Sequence, residues 1–149
     1  MKSRFAALAA VALMSSLSSG PAAARDTVLH IPLADVLAMP EAKAKLDPAF
    51  KFYLAGQATP NVSRRFSSDV SNPKTNGFGK DDNFGCKWAA LSALISLQES
   101  AKRQGGNAVV DIVSYYKKVE YSNPTDFECH AGAFIIGVAL KGTAAKVDE

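Results

Sequence analysis

The clearest apolar pattern along the chain predicts one long helix over about residues 84–104. Asp82 or Asn83 can cap its start by accepting hydrogen bonds from free backbone N–H groups, and Gly105–Gly106 can end it. Four apolar residues recur at the spacing of one helix face and form a stripe: Ala90, Leu94, Leu97 and Ala101. We therefore expect this helix to pack along one side on the rest of the molecule.

Alternating positions after the helix predict a long β-hairpin. Its strands are expected at 107–121 and 128–141, joined by a turn at 122–126 that is rich in turn-forming residues. One face of the second strand is mostly small: Cys129, Ala131, Ala133, Ile135, Gly137 and Ala139. The other face is larger: His130, Phe134, Ile136, Val138 and Leu140. Since small residues allow close approach, we expect the helix on the small face, and segment 27–54 or a partner subunit on the other.

The segments before the helix are shorter. Strands are expected at 27–31, 51–54 and 62–70, and two short helical pieces separated by Pro40 at 34–39 and 41–46. Residues 71–85 are dense in Gly, Asn, Pro and Asp and predict a loop, and residues 143–149 predict a loose tail. Residues 25–142 then form a single α+β domain, with one long helix packed on a small, mainly antiparallel sheet that ends in a long β-hairpin.

The first 24 residues have the pattern of a cleavable signal peptide. Lys2 and Arg4 precede an apolar run at 5–14, and Ala22 and Ala24 fit the small-x-small rule for cleavage after Ala24. The apolar run is about ten residues, against the roughly 20 that span a bilayer as a helix. An uncleaved N-terminal anchor is the alternative. The expected location is the bacterial periplasm, without a lipid anchor or a membrane span.

Charge argues against nucleic acid as a partner. Residues 1–24 contain two basic residues and no acidic ones, so residues 25–149 keep 15 basic and 14 acidic side chains. Adjacent basic pairs occur there at 64–65 and 117–118, whereas nucleic-acid binding usually needs a concentrated basic face.

The two cysteines, Cys86 and Cys129, predict a disulfide in an oxidising compartment. If Cys129 were reduced, it and His130 would offer zinc or copper ligands beside Asp126 and Glu128. Neighbouring strand residues point to opposite faces, however, so Cys129 and His130 do not easily share one ion. A metal site that uses His130 is the alternative to a disulfide beside a partly covered histidine.

Other candidate chemistry is sparse. The stretch GFGKDD at 77–82 lacks the first glycine and the Ser/Thr of a phosphate-binding loop, and no nucleophile motif is present. Asp111 is an acid in an apolar strand, either buried with a partner or at an edge. Four aromatic residues near the predicted hairpin end form either an interaction surface or ordinary cross-strand pairs: Tyr115, Tyr116, Tyr121 and Phe127.

Residues 85–142 resemble the RcsF/YbjQ-type domain of bacterial envelope proteins. The resemblance lies in Gly-Cys at the helix start, an alanine-rich helix, a Gly-Asn-Ala-Val entry to a strand, a second Cys and a terminal stretch AFIIGVAL. It implies the α+β fold and a Cys86–Cys129 bond. The sensor branch of that family also has a second disulfide, which would fall at Ser114 and Ile135, and a lipid-attachment Cys, and this chain lacks both.

These observations predict an exported, non-catalytic binding or interaction module of the bacterial envelope, without a cofactor. Its partner is a protein or a second copy of the chain. A periplasmic metal-handling protein that uses His130 and nearby carboxylates is the alternative.

Overall fold

The computed structural model describes residues 25–149, in which two four-stranded sheets surround one long helix. The first sheet has the order β1–β6–β7–β4 and the second the order β2–β5–β8–β3, and every pair except β2–β5 is antiparallel. The strands are β1 (Thr27–Pro32), β2 (Lys51–Leu54), β3 (Val62–Ser71), β4 (Lys74–Asn76), β5 (Ala108–Ser114), β6 (Asp126–Ala131), β7 (Ile135–Gly137) and β8 (Leu140–Val147). The helices are α1 (Leu33–Leu37), α2 (Pro40–Lys45) and α3 (Asp82–Arg103), with a 3₁₀ turn at Tyr116–Lys118. The predicted α+β class is confirmed, and the predicted signal peptide lies outside the described residues.

One bent antiparallel ribbon connects the two sheets. In the second sheet Ser71 pairs with Leu140, and in the first sheet Lys74 pairs with Gly137. Between these pairs the Val138 N–H donates to the Pro73 carbonyl at 3.2 Å. Proline has no N–H and cannot continue the ladder as a donor, so the ribbon bends here and its two ends join different sheets.

The long helix α3 is confirmed close to its predicted position. Its cap is Asp81, whose carboxylate accepts the Phe84 N–H at 3.0 Å, one residue before the predicted Asp82 or Asn83. The predicted stripe from Ala90 to Ala101 is buried, and Gly105 has a φ of +92° just beyond the helix end. None of the helices within residues 25–149 is long and apolar enough to cross a membrane.

The disulfide between Cys86 and Cys129 is present, with the two Cα atoms 5.8 Å apart. Both residues are fully buried. The bond joins the second turn of α3 to β6 and therefore fixes the helix against the first sheet.

The predicted terminal hairpin differs from the structure in its pairing. Segment 128–141 is divided among β6, β7 and the start of β8, and β5 pairs with β8 instead of β6. The Gly132 N–H donates to the Ile135 carbonyl, which closes a tight turn between β6 and β7. A glycine inside an alternating run is the sequence signal of such an interruption.

The same turn changes which residues of this segment face the core. Ala131 pairs with Ile136, and cross-strand partners lie on the same face. Ile136, Val138 and Leu140 are therefore buried with Cys129, while Ile135 is 57% exposed. The prediction of a small helix-facing side and a separately covered bulky side is wrong beyond Gly132.

Two further predictions about loops are corrected. Residues 143–147 are not a loose tail, because they form most of β8, which lies between β5 and β3 and buries Ala144, Ala145 and Val147. The predicted loop at 71–85 contains β4 and the start of α3. In both cases the ordering comes from strand partners that are distant in sequence.

Candidate functional site

A histidine held between two carboxylates lies on the outer face of the first sheet. His130 Nε2 is 2.7 Å from Glu128 Oε1, and His130 Nδ1 is 3.1 Å from Asp26 Oδ1. Glu128 and His130 are two residues apart in β6, so strand alternation places both side chains on one face. The side chain of His130 is only 13% exposed.

A second histidine completes this row of side chains. His30 in β1 is the cross-strand partner of Glu128, and its Nε2 lies 3.5 Å from Glu128 Oε2. The Glu128 carboxylate is therefore shared by two imidazoles. The sequence alone does not connect His30 with Glu128, because the pairing of β1 with β6 joins residues about 100 positions apart.

Two of the predicted aromatic residues stack on these histidines. The Tyr116 ring lies 3.7 Å from the His130 ring and the Tyr121 ring 4.5 Å from the His30 ring, both nearly parallel. Tyr115 is partly buried, with the Lys141 ammonium 4.9 Å from its ring. Phe127 is fully buried in the core and takes no part in a surface. Of the four residues predicted for an interaction surface, Phe127 therefore lies in the core, and Tyr116 and Tyr121 cover histidines.

The segment that carries these tyrosines has an unusual backbone. Lys117 and Lys118 have φ values of 51° and 63°, a region that residues other than glycine rarely adopt. The stacking contacts of Tyr116 and Tyr121 hold the two ends of this turn on the sheet. Asp111, the predicted unusual acid, also has a positive φ, of 53°. It is exposed at a bulge of β5, where Arg65 pairs with it.

The predicted alternative was a metal site that uses His130, and it depends on where the other possible ligands lie around this ring. Cys129 is oxidised and lies on the buried face of β6, away from His130. Asp26 and Glu128 contact different nitrogens of the His130 ring, so they approach it from opposite sides. Within residues 25–149 no group of three or more His, Cys, Asp or Glu side chains is placed so that it could hold a metal ion.

A second surface feature was not predicted. Phe78, Phe134 and Ile135 are 69%, 66% and 57% exposed, and we call them the aromatic patch. The Phe78 and Phe134 rings stack with centroids 5.9 Å apart, and the Gly77 N–H donates to the Phe134 carbonyl at 2.8 Å. Two loops distant in sequence, the β4–α3 loop and the β6–β7 turn, therefore present one apolar surface. The available sequence signal is a phenylalanine within two residues of a glycine in each of the two segments, Phe78 between Gly77 and Gly79 and Phe134 after Gly132.

An ion pair stabilises the border of this patch. The Arg25 guanidinium contacts both oxygens of Asp82 at 2.8 and 3.0 Å and also donates to the Gly132 carbonyl at 2.8 Å. The hydrogen bond from Arg25 holds the pKa of the Asp82 carboxyl below its usual value. Arg25 thus ties β1, the β6–β7 turn and the start of α3 together next to the exposed phenylalanines.

Comparison with known proteins gave no relative for this chain: no family model, curated protein or solved structure matches it. The resemblance to RcsF/YbjQ-type domains therefore stays a prediction.

Proposed function

We propose that this protein is an exported, non-catalytic interaction module that binds a partner protein through the aromatic patch. The observation that carries the proposal is the stacked, solvent-exposed pair Phe78 and Phe134 with Ile135 beside it. Scattered exposed apolar residues are normal, but adjacent aromatic residues on two loops are typical of binding surfaces.

The energetics favour a partner of this kind. Burying apolar surface stabilises by about 25 cal/mol per Å², so a phenylalanine pair that is two-thirds exposed offers a large gain on association. Aromatic side chains also lose little conformational entropy on binding, and they are common among the residues that dominate interface energies. The patch is held in shape before binding by ring stacking, the Gly77–Phe134 hydrogen bond and the Arg25 contacts.

Export is supported by the disulfide. Cys86 and Cys129 form a buried bond of the kind that persists in oxidising compartments. The signal-peptide pattern of residues 1–24 points in the same direction. A non-catalytic role is supported by the way in which the histidines are engaged, since both face Glu128 and both are covered by tyrosine rings.

Site-specific photo-crosslinking in the native host tests the proposal. A photoreactive phenylalanine analogue is placed at Phe134, and in a separate variant at Val119, which is equally exposed but lies in the turn after Tyr116. We expect a discrete adduct from position 134 and none from position 119. The same adduct should disappear when Phe78→Ser is added to the position-134 variant.

The identity of the adduct distinguishes the outcomes. A heteromeric adduct supports the proposal, and an adduct of twice the protein's own mass shows that the partner is a second copy. Equal labelling from positions 119 and 134, or an adduct that persists with Phe78→Ser, would contradict a role for the patch.

A further inference from the structure

Strand β2 leaves one edge of the second sheet unpaired. β2 is the terminal strand of the order β2–β5–β8–β3, and it pairs only with β5. The Lys51 N–H donates to the Asn107 carbonyl and the Ala55 N–H to the Ile112 carbonyl, both toward β5. Because backbone groups of alternate strand residues point to the same edge, the N–H and C=O groups of Phe52 and Leu54 point away from β5.

A glutamine side chain occupies part of this open edge. Gln57 Oε1 accepts the Leu54 N–H at 3.0 Å, and the Gln57 N–H donates to the Leu54 carbonyl at 3.0 Å. Gln57 therefore supplies to Leu54 the two bonds that a neighbouring strand would supply. The Gln57 side chain is exposed, so an incoming strand can replace it at the Leu54 N–H, while the Leu54 carbonyl keeps its bond to the Gln57 backbone N–H.

The open edge borders an apolar groove. Two cavities of about 430 and 260 Å³ lie between β2 and the α1–α2 pair, and Leu37, Phe52 and Gln57 line both of them. The shared residues show that the two cavities are neighbours, and we refer to them together as the groove. The groove follows β2 from the Pro48 end to the Thr125 end, and its walls are mainly apolar side chains: Leu33, Leu37, Leu46, Phe50, Phe52 and Leu54.

The groove is positively charged at its Pro48 end. Lys43 and Lys51 lie there, and both are exposed. The acid in the lining, Asp47, is bound by the Lys102 ammonium at 2.6 Å, so its charge is compensated from outside the groove. A ligand in this groove therefore meets an apolar channel with two lysines at one end.

We propose that this groove binds an extended, mainly apolar peptide segment of a partner protein, which adds a strand to the free edge of β2 and directs an acidic residue toward Lys43 and Lys51. The peptide backbone bonds to the N–H and C=O of Phe52 and, in place of Gln57 Oε1, to the Leu54 N–H, and its inward side chains enter the groove against Leu37. β2 spans four residues, so about four residues of the peptide pair with it. This site is separate from the aromatic patch, and each can fail without the other.

Backbone recognition favours a peptide over a lipid chain. An acyl chain would fill the groove but would leave the outward N–H and C=O of Phe52 without partners, whereas a strand satisfies both.

Selection from a displayed library of random dodecapeptides on the disulfide-bonded protein tests this inference. We expect the enriched peptides to alternate apolar and polar residues and to carry Asp or Glu at one end. Synthetic copies should bind Leu37→Asp at least 10-fold more weakly than the unmodified protein. Lys43→Glu, at an exposed position, should weaken them as well, and Val119→Asp is the matched control that should leave binding unchanged.

N-methylation of the peptide separates strand addition from simple apolar contact. Methyl groups on the alternate amides that face β2 should reduce affinity at least 10-fold, and methyl groups on the other amides should have little effect. Equal binding to Leu37→Asp, tolerance of both methylation patterns, or binding of dodecanoate with no enriched peptide would overturn the proposal. Thermal melts of each variant confirm that it is folded.

Discussion

At the residue scale, a few polar contacts decide where the elements begin and how they are joined. Asp81 caps the start of α3. Arg25, the first described residue, contacts Asp82 at the start of α3 and the Gly132 carbonyl in the β6–β7 turn. Each contact is local enough for a single substitution to isolate its contribution. Two predictions belong to this scale.

Replacing the helix cap should destabilise the protein modestly. Asp81→Ala removes the acceptor of the Phe84 N–H and leaves that donor without its partner, and we expect the free energy of unfolding to fall by about 1 kcal/mol. Urea denaturation measures the change. Asp81→Ser, which keeps a capping oxygen, is the matched control, and an equal loss in both variants would show that capping is not the cause.

The Arg25–Asp82 pair should make stability depend on acid pH. Arg25 lowers the pKa of Asp82 in the folded state, so the pair stabilises the protein above the unfolded pKa of about 3.9, and this contribution is lost as pH falls through the lower folded value. Arg25→Gln should lower Tm by about 1–3 °C at pH 6 and much less at pH 2.5. Lys146→Gln is the exposed control. A Tm difference that is independent of pH would contradict the ion-pair explanation.

At the scale of elements, the fold depends on close approach between α3 and the sheets and on a final strand in a central position. Gly85 of α3 faces Ile136 of β7, and a Cβ at position 85 would overlap Ile136 Cδ1. β8 lies between β5 and β3, so both neighbours depend on it for hydrogen bonds. The importance of these residues follows from their long-range partners.

The effect of Ile136→Val on the free energy of unfolding should reverse its sign when residue 85 is changed from glycine to alanine. Gly85→Ala should cost about 1–3 kcal/mol through overpacking. Ile136→Val alone should cost about 0.5–1.5 kcal/mol, but in the Gly85→Ala background it should stabilise the protein, because valine lacks the Cδ1 atom that the new Cβ meets. Urea denaturation of the four proteins gives the coupling energy. Additive effects would show that the Ile136 side chain or the helix shifts to relieve the overlap.

Shortening the chain should distinguish a structural strand from a loose tail. A protein that ends at Gly142 loses the part of β8 that buries Ala145 and Val147, and we expect it to lack cooperative thermal unfolding. Removal of Glu149 alone should leave Tm unchanged, since this residue lies outside β8. Circular dichroism measures both, and a cooperative transition in the protein that ends at Gly142 would mean that β8 is dispensable.

At the scale of the whole molecule, the disulfide joins α3 and β6, which would move apart on unfolding if the bond were absent. Cys86 and Cys129 are 43 residues apart, and the bond fixes α3 to the first sheet while the bent ribbon connects that sheet to the second. The histidine row and the aromatic patch both belong to the first sheet and its turns. The groove beside β2 belongs to the second sheet, whereas the disulfide joins α3 to the first sheet.

Loss of the disulfide should therefore lower global stability by a large amount. Replacing both cysteines by alanine should reduce the free energy of unfolding by about 4 kcal/mol in the chain-entropy model. Urea denaturation of the oxidised protein and the double variant gives this value.

Intact mass after alkylation without reductant should show no modified thiol and a chain that starts at Arg25. Full alkylation of both cysteines would contradict the bond.

The sequence by itself determined the elements whose signals are local. The stripe in α3, the strands predicted at 27–31, 51–54 and 62–70, the two short helices around Pro40 and the α+β class all follow from periodicity and turn residues over short windows. The disulfide followed from there being only two cysteines. These features need no knowledge of which strand lies beside which.

Only the tertiary structure decided the pairing, and with it every candidate site. Gly132 turns the chain so that Ile136 faces the core and Ile135 does not, and β5 takes β8 as its partner. The pairing of β1 with β6 brings His30 to Glu128, and the meeting of two turns brings Phe78 to Phe134. Such contacts join residues that are far apart in the chain. Local periodicity says which face of a strand is apolar but not which strand lies next to it.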